Sequence, residues 1–172
     1  SWVADNPDAA ESGRERDALI ASGVNIPIYV VENGVDAGQF ENWSKQTVST
    51  PDSIEPNIIF VGSMDYHANI DAVLAFTSEM WPTIREANPD LTFKIVGRRP
   101  PAAVTALATI PGIEVTGSVP DVRPFYQNTI ASVVPLRVGG GTRLKILEAF
   151  AARTPVISTS LGAEGLESRS SQ

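Results

Sequence analysis

From residue 57 onward, apolar runs of strand length alternate with segments of helical periodicity, and no other feature of the chain constrains its fold as tightly. Residues 57–61 (Asn-Ile-Ile-Phe-Val) form a continuous apolar run that stops at Gly62. Continuous hydrophobicity, rather than in-out alternation, predicts a strand covered on both faces, as inside a parallel sheet. Ile70, Val73, Leu74, Thr77, Met80, Trp81 and Ile84 then recur at helical spacing. Pro82 predicts a kink in that helix, because proline cannot donate to the carbonyl four residues back. Further strands are predicted over 91–96, 113–116, 130–136 and 155–159, and helices over 102–108, 121–128 and 142–152, with Asp121 capping the second of these. The repeated strand-helix order predicts an α/β fold: a Rossmann-like, doubly wound parallel sheet in a single domain. Such sheets bind ligands outside the carboxyl ends of their strands, near a switch in strand order. Those ends carry Gly62, Gly97, Gly117, the 139–141 glycine run and Gly162.

Ahead of the alternating region, residues 7–21 predict a polar helix stopped by Gly23, residues 28–31 a short strand, Asn33-Gly34 a turn, and residues 37–56 a loop or linker. Residues 1–23 are thus expected as a helical segment at a domain junction, 24–166 as the main domain and 167–172 as a disordered tail. The start at Ser1 and the polar end suggest a piece of a longer protein. The 172 residues suffice for one domain with a real core. A net charge of −7 argues against a general nucleic-acid binder, yet leaves room for one phosphate site built from local cations. Cysteine is absent and His67 is the single histidine, so thiolate sites, His clusters and an obvious Ser-His-Asp triad are not on offer. No apolar run reaches the roughly 20 residues of a membrane span. Scattered charge over residues 1–20 does not match a signal peptide. A cytoplasmic location is the expectation.

The segment from Val138 to Glu148 carries the sharpest chemical signal. Gly139, Gly140 and Gly141 lie between a predicted strand and a predicted helix that opens at Thr142. Glycine allows close backbone approach to a ligand, and the helix start offers unsatisfied N–H groups and a positive dipole end to an anion. Arg143 and Lys145 fall in the predicted first turn, where helical side chains lean back toward the N-terminus. Glu148, one turn on, is placed to accept hydrogen bonds from ribose hydroxyls. The run matches neither a Walker loop nor the Gly-x-Gly-x-x-Gly of dinucleotide binders. Gly62, Ser63, Met64 and Asp65 follow the first strand of the sheet and are candidates to line the same site through backbone N–H groups. Arg98-Arg99 ends the second strand, with Arg98 a candidate for base or phosphate. Phe76, Met80 and Trp81 read as core, His67 as a surface or helix-start residue, and Glu164 as a residue near the last strand end.

With these residues in view, the chain resembles the C-terminal domain of the family 4 (group 1) retaining glycosyltransferases of the GT-B fold. The matching segments are 32–36, 60–66, Trp81-Pro82, 95–97, 115–117, Pro135-Leu136, 139–148 and 155–159, spanning about residues 24–166. The resemblance implies half of a two-domain enzyme, with a nucleotide diphosphate sugar held by this half and an acceptor by a missing N-terminal domain. It implies sugar transfer with retention, no metal and no other cofactor. It assigns the ribose to Glu148 in Glu148-Ala149 and main-chain contacts with the base to Val119. It makes Arg143 and Lys145 the charge-stabilising catalytic candidates. Two departures stand out: Gly140 occupies the place of the family's first glutamate, and Ser63 that of an arginine, with no lysine between Gly62 and Trp81. Arg143 and Lys145 are expected to replace that charge. The isolated chain is expected to bind nucleotide weakly, to transfer nothing and to be prone to self-association through exposed apolar surface. A basic amphipathic patch upstream would point to peripheral membrane association and a lipid or polysaccharide acceptor. Two other classes remain open: a degenerate, non-catalytic nucleotide-binding module, and a nucleotide-sugar isomerase relying on Asp65, His67 or Glu164.

Overall fold

A computed structural model describes residues 9–10, 13–31, 34–38, 40, 56–127, 129–139, 143–164 and 166. Five parallel strands form the main sheet: β3 (Asn57–Val61), β4 (Thr92–Val96), β5 (Ile113–Gly117), β6 (Ala131–Val134) and β7 (Val156–Ser158), in spatial order β5-β4-β3-β6-β7. The chain starts in the middle, runs outward through β4 and β5, then returns to the other side of β3 for β6 and β7. The switch in strand order therefore lies between β3 and β6, as the doubly wound reading requires. A separate β1 (Ala9–Ala10), α1 (Gly13–Ala21), β2 (Tyr29–Val30) unit precedes it, with β1 and β2 pairing in parallel. The polar helix expected from residue 7 therefore begins at Gly13. Pairing with β2 draws Ala9 and Ala10 into a strand despite alanine's helix preference. Phe40, inside the expected 37–56 loop, packs edge-on against Tyr126 with ring centroids 6.3 Å apart. The turn residue Asn33 and the tail 167–172 lie outside the described residues.

Every residue of β3 is buried, because both faces of the sheet are covered. Ile58 and Phe60 face a core with Val73, Phe76, Trp81, Phe93, Ile95 and Val133. Ile59 and Val61 face a second cluster with Val96, Tyr126 and Ala149. The helices that follow β3 are α2 (His67–Ala75), which runs through a π turn (Phe76–Met80) into α3 (Trp81–Ala87); α4 (Ala102–Thr105), continued as 3-10 over Ala106–Thr109; α5 (Arg123–Gln127); and α6 (Leu144–Ala151). Asp121 caps α5, its Oδ1 accepting the Arg123 N–H at 3.0 Å. No helix among the described residues is long and apolar enough to cross a membrane.

The irregularity expected at Pro82 takes the form of that π turn. Trp81 N–H bonds to the Phe76 carbonyl five residues back, so one extra residue is accommodated before the proline. The insertion rotates the register and overturns one expectation. Met80, read as core, is 45% exposed, while Trp81 next to it is 1% exposed and packs on Phe93 at 5.8 Å. Trp81→Ala is expected to destabilise the fold by about 3–5 kcal/mol and Met80→Ala by under about 1 kcal/mol, measured by urea unfolding. Equal losses would contradict this register.

Candidate functional site

At the carboxyl ends of β3 and β4, a cavity of about 440 Å³ opens beside the switch point. Its floor depends on two glycines. A side chain at Gly97 would overlap the Gly62 carbonyl oxygen, so the backbones after β3 and β4 meet at a distance only glycine allows. A Cβ at Gly62 would lie 2.9 Å from Asn69 Nδ2 and 3.0 Å from Lys145 Nζ. The bare α-carbon of Gly62 thus leaves room for a lysine to reach the end of the sheet.

Lys145, in the first turn of α6, is partly buried. Its ammonium donates to Asn69 Oδ1 at 2.6 Å and stands 4.4 Å from the centre of the Phe60 ring. Both partners are neutral, and among the described residues Lys145 forms no ion pair. Burial, reinforced by the charge of Arg143, lowers its pKa to about 8 against the weaker pull of Glu148. Glu148 lies one turn further along α6. Burial raises its pKa, opposed by a hydrogen bond from Tyr126 and by the Lys145 charge. That hydrogen bond, from Tyr126 Oη to Glu148 Oε2, is long at 3.4 Å. Burial and the neighbouring Glu148 push the Tyr126 phenol far above its ordinary range, so it stays a donor.

Arg143 takes a different place from the one expected. It is the N-cap residue of α6, not a first-turn residue, and is 4% exposed. Its Nη2 donates to the carbonyls of Gly139 (3.0 Å) and Leu161 (3.2 Å). It still lines the cavity, but its guanidinium ties the loop after β6 to the loop after β7. Gly139 itself has φ +100°, and a side chain there would press on Tyr66 Oη and Ala68. Gly140, Gly141 and Thr142 lie outside the described residues.

The opposite wall brings Arg98 to the cavity. Its Nε donates to Ser63 Oγ at 2.8 Å, and Ser63 Oγ in turn donates to Asp65. Asp65 also pairs with Arg99 at 3.0 Å. The Ser63 hydroxyl, then Arg98 and Arg99, hold the Asp65 carboxyl below its usual range. Val119 and Val122 supply an apolar side. Met64 does not belong to the site: its N–H is taken by the Arg98 carbonyl at 2.9 Å, and its side chain is buried in the core. The Gly62 N–H is likewise spent on Val96 O. His67 opens α2, exposed and edge-on to Tyr66, and neither it nor Glu164 lines the cavity.

The sequence assigns no site role to several lining residues, among them the polar Tyr66 and Asn69 and the apolar Val122. Asn69 left a signal: it is a buried amide among Ala68, Ala72 and Val73 on the apolar side of α2. The lining carries three cations, Arg98, Arg143 and Lys145, against one carboxylate, Glu148. In a chain of net charge −7, this concentrates positive potential in one cleft.

Comparison with known proteins agrees with this fold. The family model described as glycosyl transferases group 1 matches residues 55–170. An uncharacterized 44.6 kDa protein in the cps region of Klebsiella pneumoniae is 25% identical over 117 residues, which cover 63% of this chain and 30% of that protein. A glycosyltransferase from Rickettsia africae superposes with a TM-score of 0.69 at 17% identity, over 93% of this chain and 46% of its own. Anabaena Alr3699/HepE, crystallised with UDP and glucose, gives 0.64 at 14% identity, over 93% and 46%. The chain therefore spans less than half the length of these relatives. The structural likenesses show the fold.

Gly97→Ala is expected to lower the unfolding midpoint by more than 5 °C, about 1–2 kcal/mol or more for a domain of this size, because the added methyl has only backbone to displace. A midpoint unchanged in differential scanning calorimetry would contradict the Gly62–Gly97 contact.

Proposed function

The chain belongs to the glycosyl transferases group 1, and from that premise we propose that its cleft holds the nucleotide diphosphate sugar donor of a retaining sugar transfer. The observation that carries this reading is the partly buried Lys145 ammonium at the sheet's switch point, whose direct contacts are a neutral amide oxygen and an aromatic ring. A buried charge without a counter-ion is costly, and an anionic ligand removes that cost. A diphosphate fits the cluster of Arg98, Arg143 and Lys145, with the N-terminus of α6 adding its dipole. Glu148, steadied by Tyr126, suits ribose hydroxyls. Val119 and Val122 suit the flank of a base. As the acceptor hydroxyl attacks the anomeric carbon, the bond to the diphosphate breaks, its electrons leave with the phosphate oxygen, and the hydroxyl proton passes to that departing oxygen. The same cations stabilise the charge that grows there.

In this reading the acceptor is held by a further domain, consistent with the short span of the chain against its relatives. The described chain alone binds donor and transfers nothing. The relative in a cps region supports a cell-envelope polysaccharide as the acceptor class.

Isothermal calorimetry with UDP, GDP and ADP tests the proposal. One of them is expected to bind, and Lys145→Met is expected to weaken it by about 10- to 100-fold, the loss of a charge-assisted contact of roughly 1.5–3 kcal/mol. Glu148→Ala is expected to cost about tenfold. No binding, or binding indifferent to both substitutions, would remove the reading. The pH dependence has a definite sign. A bound anion favours charged Lys145, so affinity is full below pH 8 and falls as pH rises through about 8, where the empty cleft releases the proton. The nucleotide phosphates are already ionised there. Lys145→Met should flatten the profile.

A further inference from the structure

Asn69 occupies a position that no resemblance assigns. It is 6% exposed, in the first turn of α2, and it uses both ends of its amide. Nδ2 donates to the Ser63 carbonyl at 2.8 Å, which fixes the direction of the group. Oδ1, thereby aimed at the opposite side, accepts from Lys145 Nζ at 2.6 Å. A single side chain thus bridges the loop after β3 to the helix after β6, across the switch point where the cavity opens. Gly62 leaves the space through which the two meet.

We infer that Asn69 is a positioning residue that aims the Lys145 ammonium into the cleft while leaving its charge unneutralised. What it aims at rests on the donor-binding reading above; the aiming itself does not. An amide suits the task better than its isosteres. A carboxylate would pair with the ammonium and repel an anion. An alkyl group would leave four methylenes free to swing. The charged and titratable groups around Lys145 are Arg143 and Glu148 on its own helix, Tyr126 of α5, whose hydroxyl also faces the Lys145 carbonyl at 3.4 Å, and Arg98 and Tyr66 across the cavity. From β3 it meets the Phe60 ring, which carries no charge.

The chain has three lysines, Lys45, Lys94 and Lys145, so 13Cε NMR titration resolves Lys145 in the ligand-free protein. Its midpoint is expected near 8. Asn69→Asp, which keeps the shape of the side chain, should raise it into or above the ordinary lysine range. Asn69→Ala should lower it by removing the accepted hydrogen bond. Midpoints unmoved by both substitutions, or by Asn69→Asp alone should the alanine variant not fold, would overturn the inference. In calorimetry with UDP, Asn69→Ala should weaken binding about tenfold in the wild-type background and negligibly in Lys145→Met. Equal losses in both would reduce Asn69 to a structural role and also overturn it. Midpoints that move as expected in a chain that binds no nucleotide would sink the donor-binding reading and leave the aiming in place.

Discussion

The structure turns on one ammonium group. Lys145 reaches the carboxyl end of the central strand and finds there an amide oxygen, an aromatic face and no carboxylate partner among the described residues. A lysine whose pKa falls from 10.5 to about 8 on folding costs the empty protein on the order of 3 kcal/mol at neutral pH. The sign follows from proton counts: between pH 8 and 10.5 the unfolded chain holds more protons, so stability rises with pH across that window. A fold tolerates such a penalty where the charge is used, and an anion seated against Lys145 would relieve it.

The rest of the molecule supplies the conditions for that group to stand where it does. The switch in strand order parts the loops after β3 and β6, which gives the cavity its position. Gly97 lets the backbones after β3 and β4 close together, and Gly62 leaves the passage for the lysine. Arg143 draws the loop after β6 onto the loop after β7 and thereby fixes where α6 begins. Ser63 holds Arg98 on the far wall, and Asp65 pairs with the neighbouring Arg99. Each of these contacts joins two strand-helix connections, so the site is assembled by the sheet and not by any single motif.

Much of this was legible in the residues. The continuous apolar runs predicted buried parallel strands, and β3 is buried along its whole length. The glycines at strand ends marked the cleft, and Lys145, Glu148, Arg98 and Val119 do line it. The failures share a cause. Periodicity assumes a helix of constant pitch and so places Met80 in the core, whereas the π turn ahead of Pro82 rotates it outward. Spacing along a helix gives the direction of a side chain but not its tertiary partners. Spacing therefore puts Arg143 in the first turn, whereas it is the N-cap of α6 and two carbonyls from distant loops accept from its Nη2. The sequence makes Met64 a backbone contact, whereas the loop after β4 takes its N–H through the Arg98 carbonyl. Asn69 went unread because one amide on an apolar helix face resembles an ordinary helix residue until the lysine 76 positions away is seen beside it.

A crystal structure of the chain soaked with UDP tests the account most directly. The account places a diphosphate oxygen within about 3.2 Å of Lys145 Nζ, at the mouth of the cleft between Gly62 and α6. Diphosphate density on the far side of α2, beside Arg137 with its partners Asp71 and Glu79, or nucleotide in the cleft with its phosphates turned away from Lys145, would contradict it.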